Sequence, residues 1–248
     1  MRPARALPAA LGRPIRRFLG AERGVAAIEF AVILPILLIL LLTGTQVVIY
    51  INASRKVGQV ARSISQMVSQ AKPPSDNSTT TATVNALDLH FSFDAAMVIF
   101  PYLLNDAKRQ NLSWWGDISI NYASIAFVKG NATCNDPTDQ SACYTANVVW
   151  TSTGTAQPYG ANYRPCSTPQ LPADNTAAPS RTALPRSVFG PATLIVIDVV
   201  FNFTPTLGSK FFPAIKIARS AYVQPRYASL INYDTINSDG IATKCPGY

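Results

Sequence analysis

Residues 30–51 read FAVILPILLILLLTGTQVVIYI, 22 positions without a charge. As an α-helix at about 1.5 Å per residue the run is roughly 33 Å long, enough to cross the hydrocarbon core of a bilayer. Arg2, Arg5, Arg13, Arg16, Arg17 and Arg23 all precede it, so the amino terminus is expected to stay cytoplasmic and everything beyond Tyr50 to be exported. Against Glu22 these arginines give +5 before Gly24, leaving only +3 of the formal +8 for the rest of the chain. No basic stripe with interleaved aromatics survives that partition, which argues against a nucleic-acid partner.

The helix is expected to outrun the membrane. Val57, Val60, Ala61, Ile64, Met67 and Val68 recur at helical spacing, with Arg55, Lys56, Gln59, Arg62, Ser63 and Gln66 largely on other faces. Lys72, Pro73 and Pro74 stop it, because the residue before a proline is pushed out of the helical region. The organisation that follows is a basic leader at 1–24 and a helix at 25–71, transmembrane over 30–51 and amphipathic over 52–71. A polar linker at 72–83 leads to an exported domain at 84–248.

Within that domain, 95–104 is apolar but broken by Pro101 and reads as a short helix or turn. Ile118–Val128, Ala146–Thr151, Leu194–Phe203 and Ile217–Val223 are rich in Ile, Val, Tyr and Phe and read as strands. Four strands covering the apolar face of a long helix make an α+β head with an antiparallel sheet. Residues 152–191 carry prolines throughout and read as a long loop that buries little apolar surface.

Cys134, Cys143, Cys166 and Cys245 all lie beyond the apolar run, which fits an oxidising compartment and two disulfides. No C-x2-C spacing occurs and the single histidine, His90, lies far upstream, so no metal site is expected. Three pairings are open. The turn residues Asn135, Asp136 and Pro137 favour Cys134 with Cys143, and Cys166 with Cys245 closing a long loop.

Glu29 is a carboxylate at the edge of an apolar helix, where a charge is costly unless paired or interfacial. Gly24 precedes it by five positions and Phe30 follows it. The stretch Arg23–Pro35, RGVAAIEFAVILP, resembles the processing and assembly segment of TadE-like pseudopilins, minor pilins of the tight-adherence (Flp-type) pilus. Gly24, Glu29 and Phe30 match that pattern in turn. The resemblance implies a pilin-like head and cleavage between Gly24 and Val25 by a prepilin peptidase. It also implies roles for Glu29 and Phe30 in assembly, and a local opening of the helix at Pro35. The partners it implies are the peptidase, other pilin and pseudopilin subunits, the inner-membrane assembly machinery and the lipid bilayer. The place it implies is the bacterial inner membrane, single-pass, with a periplasmic carboxy-terminal domain and incorporation into a pilus. Residues 200–227 resemble the closing portion of the same proteins, with Phe211, Phe212 and Ile215 read as core.

Two other export readings fit less well. Arg16 and Arg17 run straight into Phe18 and Leu19 without the intervening residue of a twin-arginine signal, and the apolar run is too long for a secretory peptide. No G-x-S-x-G, H-E-x-x-H, Walker A or G-x-G-x-x-G pattern accompanies His90. Asp88, Asp94, Asp106, Asp117 and Asp198 show no acid–base spacing, although Asp198 within LIVIDVVF reads as inward-facing. No enzyme activity and no cofactor are expected. The alternative function is an uncleaved, membrane-anchored binding protein or adhesin.

Overall fold

A computed structural model describes residues 22–76, 78–130, 136–153, 163–206 and 213–248. The chain divides into two compact units, 1–49 and 50–248. One helix, α1 (Glu22–Ser69), contributes to both.

In the first unit α1 is apolar on every side. Ile28, Val32, Ile36, Leu40 and Val47 are all exposed, as are their neighbours around the helix. A helix apolar all round belongs in a protein core or in a membrane, and this one is not covered by the rest of the chain. By length and composition α1 is the one unbroken helix among the described residues that can cross a membrane, which fits a single-pass anchor.

The second unit begins where α1 changes character. Ala53, Val57, Val60, Ala61, Ile64 and Val68 are buried at spacings of three and four residues. Each such side chain removed from water contributes on the order of 1–3 kcal/mol. Met67, expected on this face, is 39 % exposed instead, because it meets a surface groove beside Val84 and Phe91 in the last turns of the helix. Ser65 and Ser69 are buried in its stead, and their hydroxyls donate to the carbonyls of Arg62 and Gln66 at 2.8 and 3.0 Å. Such back-bonding lets a polar side chain enter a core without an unmet donor. Beyond Ser69 the chain leaves the helix ahead of Pro73 and Pro74, and the Arg226 amide caps the Ser69 carbonyl.

Strand β1 (Thr81–Val84) starts inside the stretch expected to be linker and pairs in parallel with β8 (Leu230–Tyr233). Helix α2 (Ala86–Ile99) opens on a capping box: Asn85 accepts from the Asp88 amide, and Asp88 accepts from the Asn85 amide, both at 3.0 Å. Pro101 ends it, lacking the N–H that a continuing helix needs, and α3 (Tyr102–Gln110) departs at 90°. The single short helix or turn expected at 95–104 is thus the junction of two helices. Asn111, at φ 56°, closes α3 in the left-handed region, and a last turn, α4 (Trp114–Asp117), leads into the sheet.

The sheet is antiparallel, with strands in the order β7-β6-β2-β3-β9. These are β2 (Ile118–Lys129), β3 (Tyr144–Ser152), β6 (Leu194–Phe203), β7 (Ile215–Val223) and β9 (Ala242–Lys244). The four expected strands are all present within two residues of their expected ends, and the α+β head expected from the sequence is the one observed. The core towards α2 is built on Phe93, Phe100, Tyr122, Trp150 and Phe201. Trp150 donates its ring N–H to the Ile231 carbonyl at 2.9 Å, tying the five-stranded sheet to the β1–β8 pair. A second cluster holds Ile125, Val148, Leu184, Phe189 and Val196.

The proline-rich stretch corrects its expectation. Leu184 and Phe189 are buried, and two short strands, β4 (Leu171–Ala173) and β5 (Ala183–Pro185), pair in parallel. Composition hid this because a few anchoring residues, rather than a periodic pattern, bind the segment to the head.

Candidate functional site

The segment singled out by sequence lies at the start of α1. The Gly24–Val25 peptide falls within the helix, and Glu29 and Phe30 are exposed, Phe30 at 61 %. Glu29 stands among Ile28, Val32 and Ile33, so the only charge in this stretch of surface is a carboxylate. Pro35 lies inside the helix and leaves the Ala31 carbonyl without its intrahelical donor. The leader residues 1–21 lie outside the described residues, as do Phe211 and Phe212; Ile215, read as core, is exposed at the start of β7.

The cysteines are all in the head. Cys166 and Cys245 are joined, with Cα atoms 5.2 Å apart, which fastens the proline-rich stretch to the end of the chain beyond β9. Cys143 is also disulfide-bonded; its expected partner, Cys134, lies outside the described residues.

Two polar clusters in the head escaped sequence reading. In the first, the Arg164 guanidinium is fully buried and donates from Nε and Nη2 to Asp198 Oδ2 at 3.1 and 2.7 Å, and from Nη1 to Gln170 and the Ala183 carbonyl. Ser220 donates to the other oxygen of Asp198. A buried pair survives desolvation only when its remaining hydrogen bonds are met, as they are for Asp198. Asp198 was legible as inward-facing; its partner, in a loop 34 residues upstream, was not.

The second cluster sits where α3 and α4 meet the end of β6. Gln110 Nε2 donates to Asp106 Oδ2 at 2.9 Å and to Asp117 Oδ1 at 3.0 Å, bridging two buried carboxyls. Arg109 pairs with Asp106 and donates to the carbonyls of Thr204 and Pro205. Burial above all, and then the negative field of Asp106, push the Asp117 carboxyl up to about 7. Asp117 Oδ2 meets no hydrogen-bond partner among the described residues, and a side-chain hydrogen bond with Asp106 adds to the upward push. The only sequence signal was Asp106 and Gln110 at i, i+4 on one helix; Asp117 joins them through the tertiary fold.

His90, the sole histidine, lies 2.5 Å from Asp239 at the surface. Among the described residues no group of three His, Cys, Asp or Glu side chains is placed to hold a metal ion. Each polar cluster instead fastens one segment to another: loop to strand, helix to hairpin end, helix to the turn before β9.

A single long helix, apolar and exposed in its first part with an isolated carboxylate near its start and buried in its second part against an α+β head, fits a protein whose single-pass anchor and head share one element. Residues 24–65 match the family model described as TadE-like protein. The resemblance read from Arg23–Pro35 is therefore found over a longer segment, from Gly24 into the buried stripe of α1. Neither a curated protein nor a solved structure matches the chain.

Proposed function

We propose that the chain is a minor pilin of a tight-adherence pilus, cut by a prepilin peptidase between Gly24 and Val25 and assembled through α1. The observation that carries this reading is the family match, which begins at Gly24 and includes Glu29 and Phe30. The charge balance supports it. Six arginines precede the cut, and each resists entering hydrocarbon by about 2.5–3.5 kcal/mol on insertion scales. The leader therefore holds the precursor in the membrane with its head in the periplasm. Cleavage removes all six and leaves one α-amine at Val25 against one carboxylate at Glu29. Between neighbouring subunits these neutralise each other, so the apolar helix can leave lipid for a packed filament without an unpaired charge. Phe30 sets register by packing, and Pro35 supplies the point at which the helix opens. The partners are the peptidase, the other pilin subunits and the inner-membrane assembly machinery.

The test is Glu29→Ala in a pilus-producing cell. The expected outcome is loss of pili with the protein still present in the membrane. Unchanged pili would remove the assembly role and leave the uncleaved binding protein as the better reading.

A further inference from the structure

Within the head, α1 from Tyr50 onwards and α2 lie on one face of the sheet. Phe201 and Phe203, two positions apart on β6, point to the same side. Tyr50 packs on Phe203 with ring centroids 5.6 Å apart, and Phe100, just past α2, packs on Phe201 at 5.1 Å. Arg219, opposite Val199 of β6, reaches Ser54 of α1, and Tyr122, opposite Ile197, donates to the Leu89 carbonyl of α2 at 3.3 Å. At their other ends the two helices border a common groove, with Met67 and Val68 on one side and Asp88 and Phe91 on the other. They therefore run antiparallel, side by side, and present one outer surface.

On α2 that surface is apolar. Leu87, Phe91 and Val98 are 76 %, 71 % and 82 % exposed, at spacings of four and seven that keep them on one stripe, with Asp94 among them. Three large apolar side chains so bare on one 14-residue helix make a contact surface rather than scattered exposure. On α1 the outer row is polar: Gln59, Arg62, Gln66 and Gln70 are all exposed. Neither Arg62 nor Asp94 has an ion-pair partner among the described residues. Counted from the groove at about 1.5 Å per residue, Gln70 comes level with Leu87, Gln66 with Phe91, Arg62 with Asp94 and Gln59 with Val98.

Each row is thus the complement of the other, and both are on the same molecule. A two-fold axis between the helices and parallel to them lays α2 of one copy on α1 of a second, and α1 of the first on α2 of the second, in one self-complementary contact. The methylene stems of the three glutamines then cover Leu87, Phe91 and Val98 while their amides stay wet, and Arg62 meets Asp94 in both halves. We propose that this surface joins two copies of the chain, with the stripe of α2 on the outer row of α1 and the Arg62–Asp94 pairs setting the register. The charges select this arrangement over its rival. Two α2 stripes laid face to face would bring the Asp94 carboxylates together without a counter-charge, and such like-charge contacts are costly. The contact does not depend on cleavage at Gly24.

Sedimentation equilibrium of the full chain in dodecylmaltoside, which coats the apolar run, tests it. The expected result is a monomer–dimer equilibrium that Asp94→Arg or Phe91→Ser weakens about tenfold. Adding Arg62→Asp to the Asp94→Arg chain is expected to restore it, because the two symmetric pairs are then exchanged rather than lost. Near-ultraviolet circular dichroism checks that each variant keeps its core. Should a variant lose it, cross-linking decides: an oxidised mixture of the Asp94→Cys and Arg62→Cys chains is expected to give a linked pair that neither chain gives alone. A chain that sediments as a monomer at every concentration overturns the proposal. So does a dimer indifferent to Asp94→Arg or Phe91→Ser, as association through the apolar run would give, or one that Arg62→Asp fails to restore. Cross-linking within either single variant as readily as in the mixture overturns it as well.

Discussion

Asp117→Asn isolates the consequence of burying two carboxyls beside each other. In the folded head the Asp117 carboxyl is pushed up to about 7, chiefly by burial and secondly by Asp106, from an ordinary value of 3.8. A group whose folded value is raised favours the folded state while protonated. Its contribution is complete below the unfolded value and is lost as pH rises through the folded one. Between about pH 4 and 7 the folded chain thus holds one proton more than the unfolded chain, a slope of about 1.4 kcal/mol per pH unit. From pH 5 to pH 8 this withdraws on the order of 2–3 kcal/mol, or about 5–10 °C in Tm for a head of this size. An asparagine has the shape of the protonated acid and cannot ionise, so the variant lacks that loss. The assay is thermal unfolding of the detergent-solubilised full chain, followed by near-ultraviolet circular dichroism at pH 5, 6, 7 and 8. The wild type is expected to fall away from the variant as pH rises. Parallel curves, or a variant less stable at pH 8 than the wild type, would mean that no proton held by Asp117 stabilises the head.

Other outcomes follow from the head. Arg164→Ala strands Asp198 in the core, and breaking a buried pair in this way costs about 3–5 kcal/mol, read as a lower Tm and as proteolysis within 163–192. Replacing Cys166 and Cys245 with serine reopens a loop with a sequence separation of 79; the expected loss is about 4.5 kcal/mol by loop-closure entropy, measured by comparing the unfolding of the variant with that of the wild type.

The anchor, the buried stripe of α1 and four strands were legible because each repeats a simple pattern: no charge over 22 positions, spacings of three and four, and runs rich in β-branched and aromatic residues. Helix α2 was not legible. Ala86, Leu89, Phe93 and Ala96 give it an inward face, but Leu87, Phe91 and Val98 are apolar and outward, so the periodicity is drowned. Strand β1, within a polar Thr-rich stretch, exists through its pairing with β8, about 150 residues away, which no local signal encodes. The same holds for the site. Gly24, Glu29 and Phe30 are read from adjacent letters, whereas Arg164 with Asp198 and Asp106 with Asp117 are assembled only by tertiary contact.

If Gly24–Val25 is the processing bond, the amino terminus of the mature chain shows it. The protein would be extracted from membranes of cells with and without an active prepilin peptidase, and its intact mass and amino-terminal sequence determined. With the peptidase active the chain is expected to begin at Val25, and without it to retain the six-arginine leader. A mature chain that begins anywhere else, or that is the same in both, would contradict cleavage at that bond.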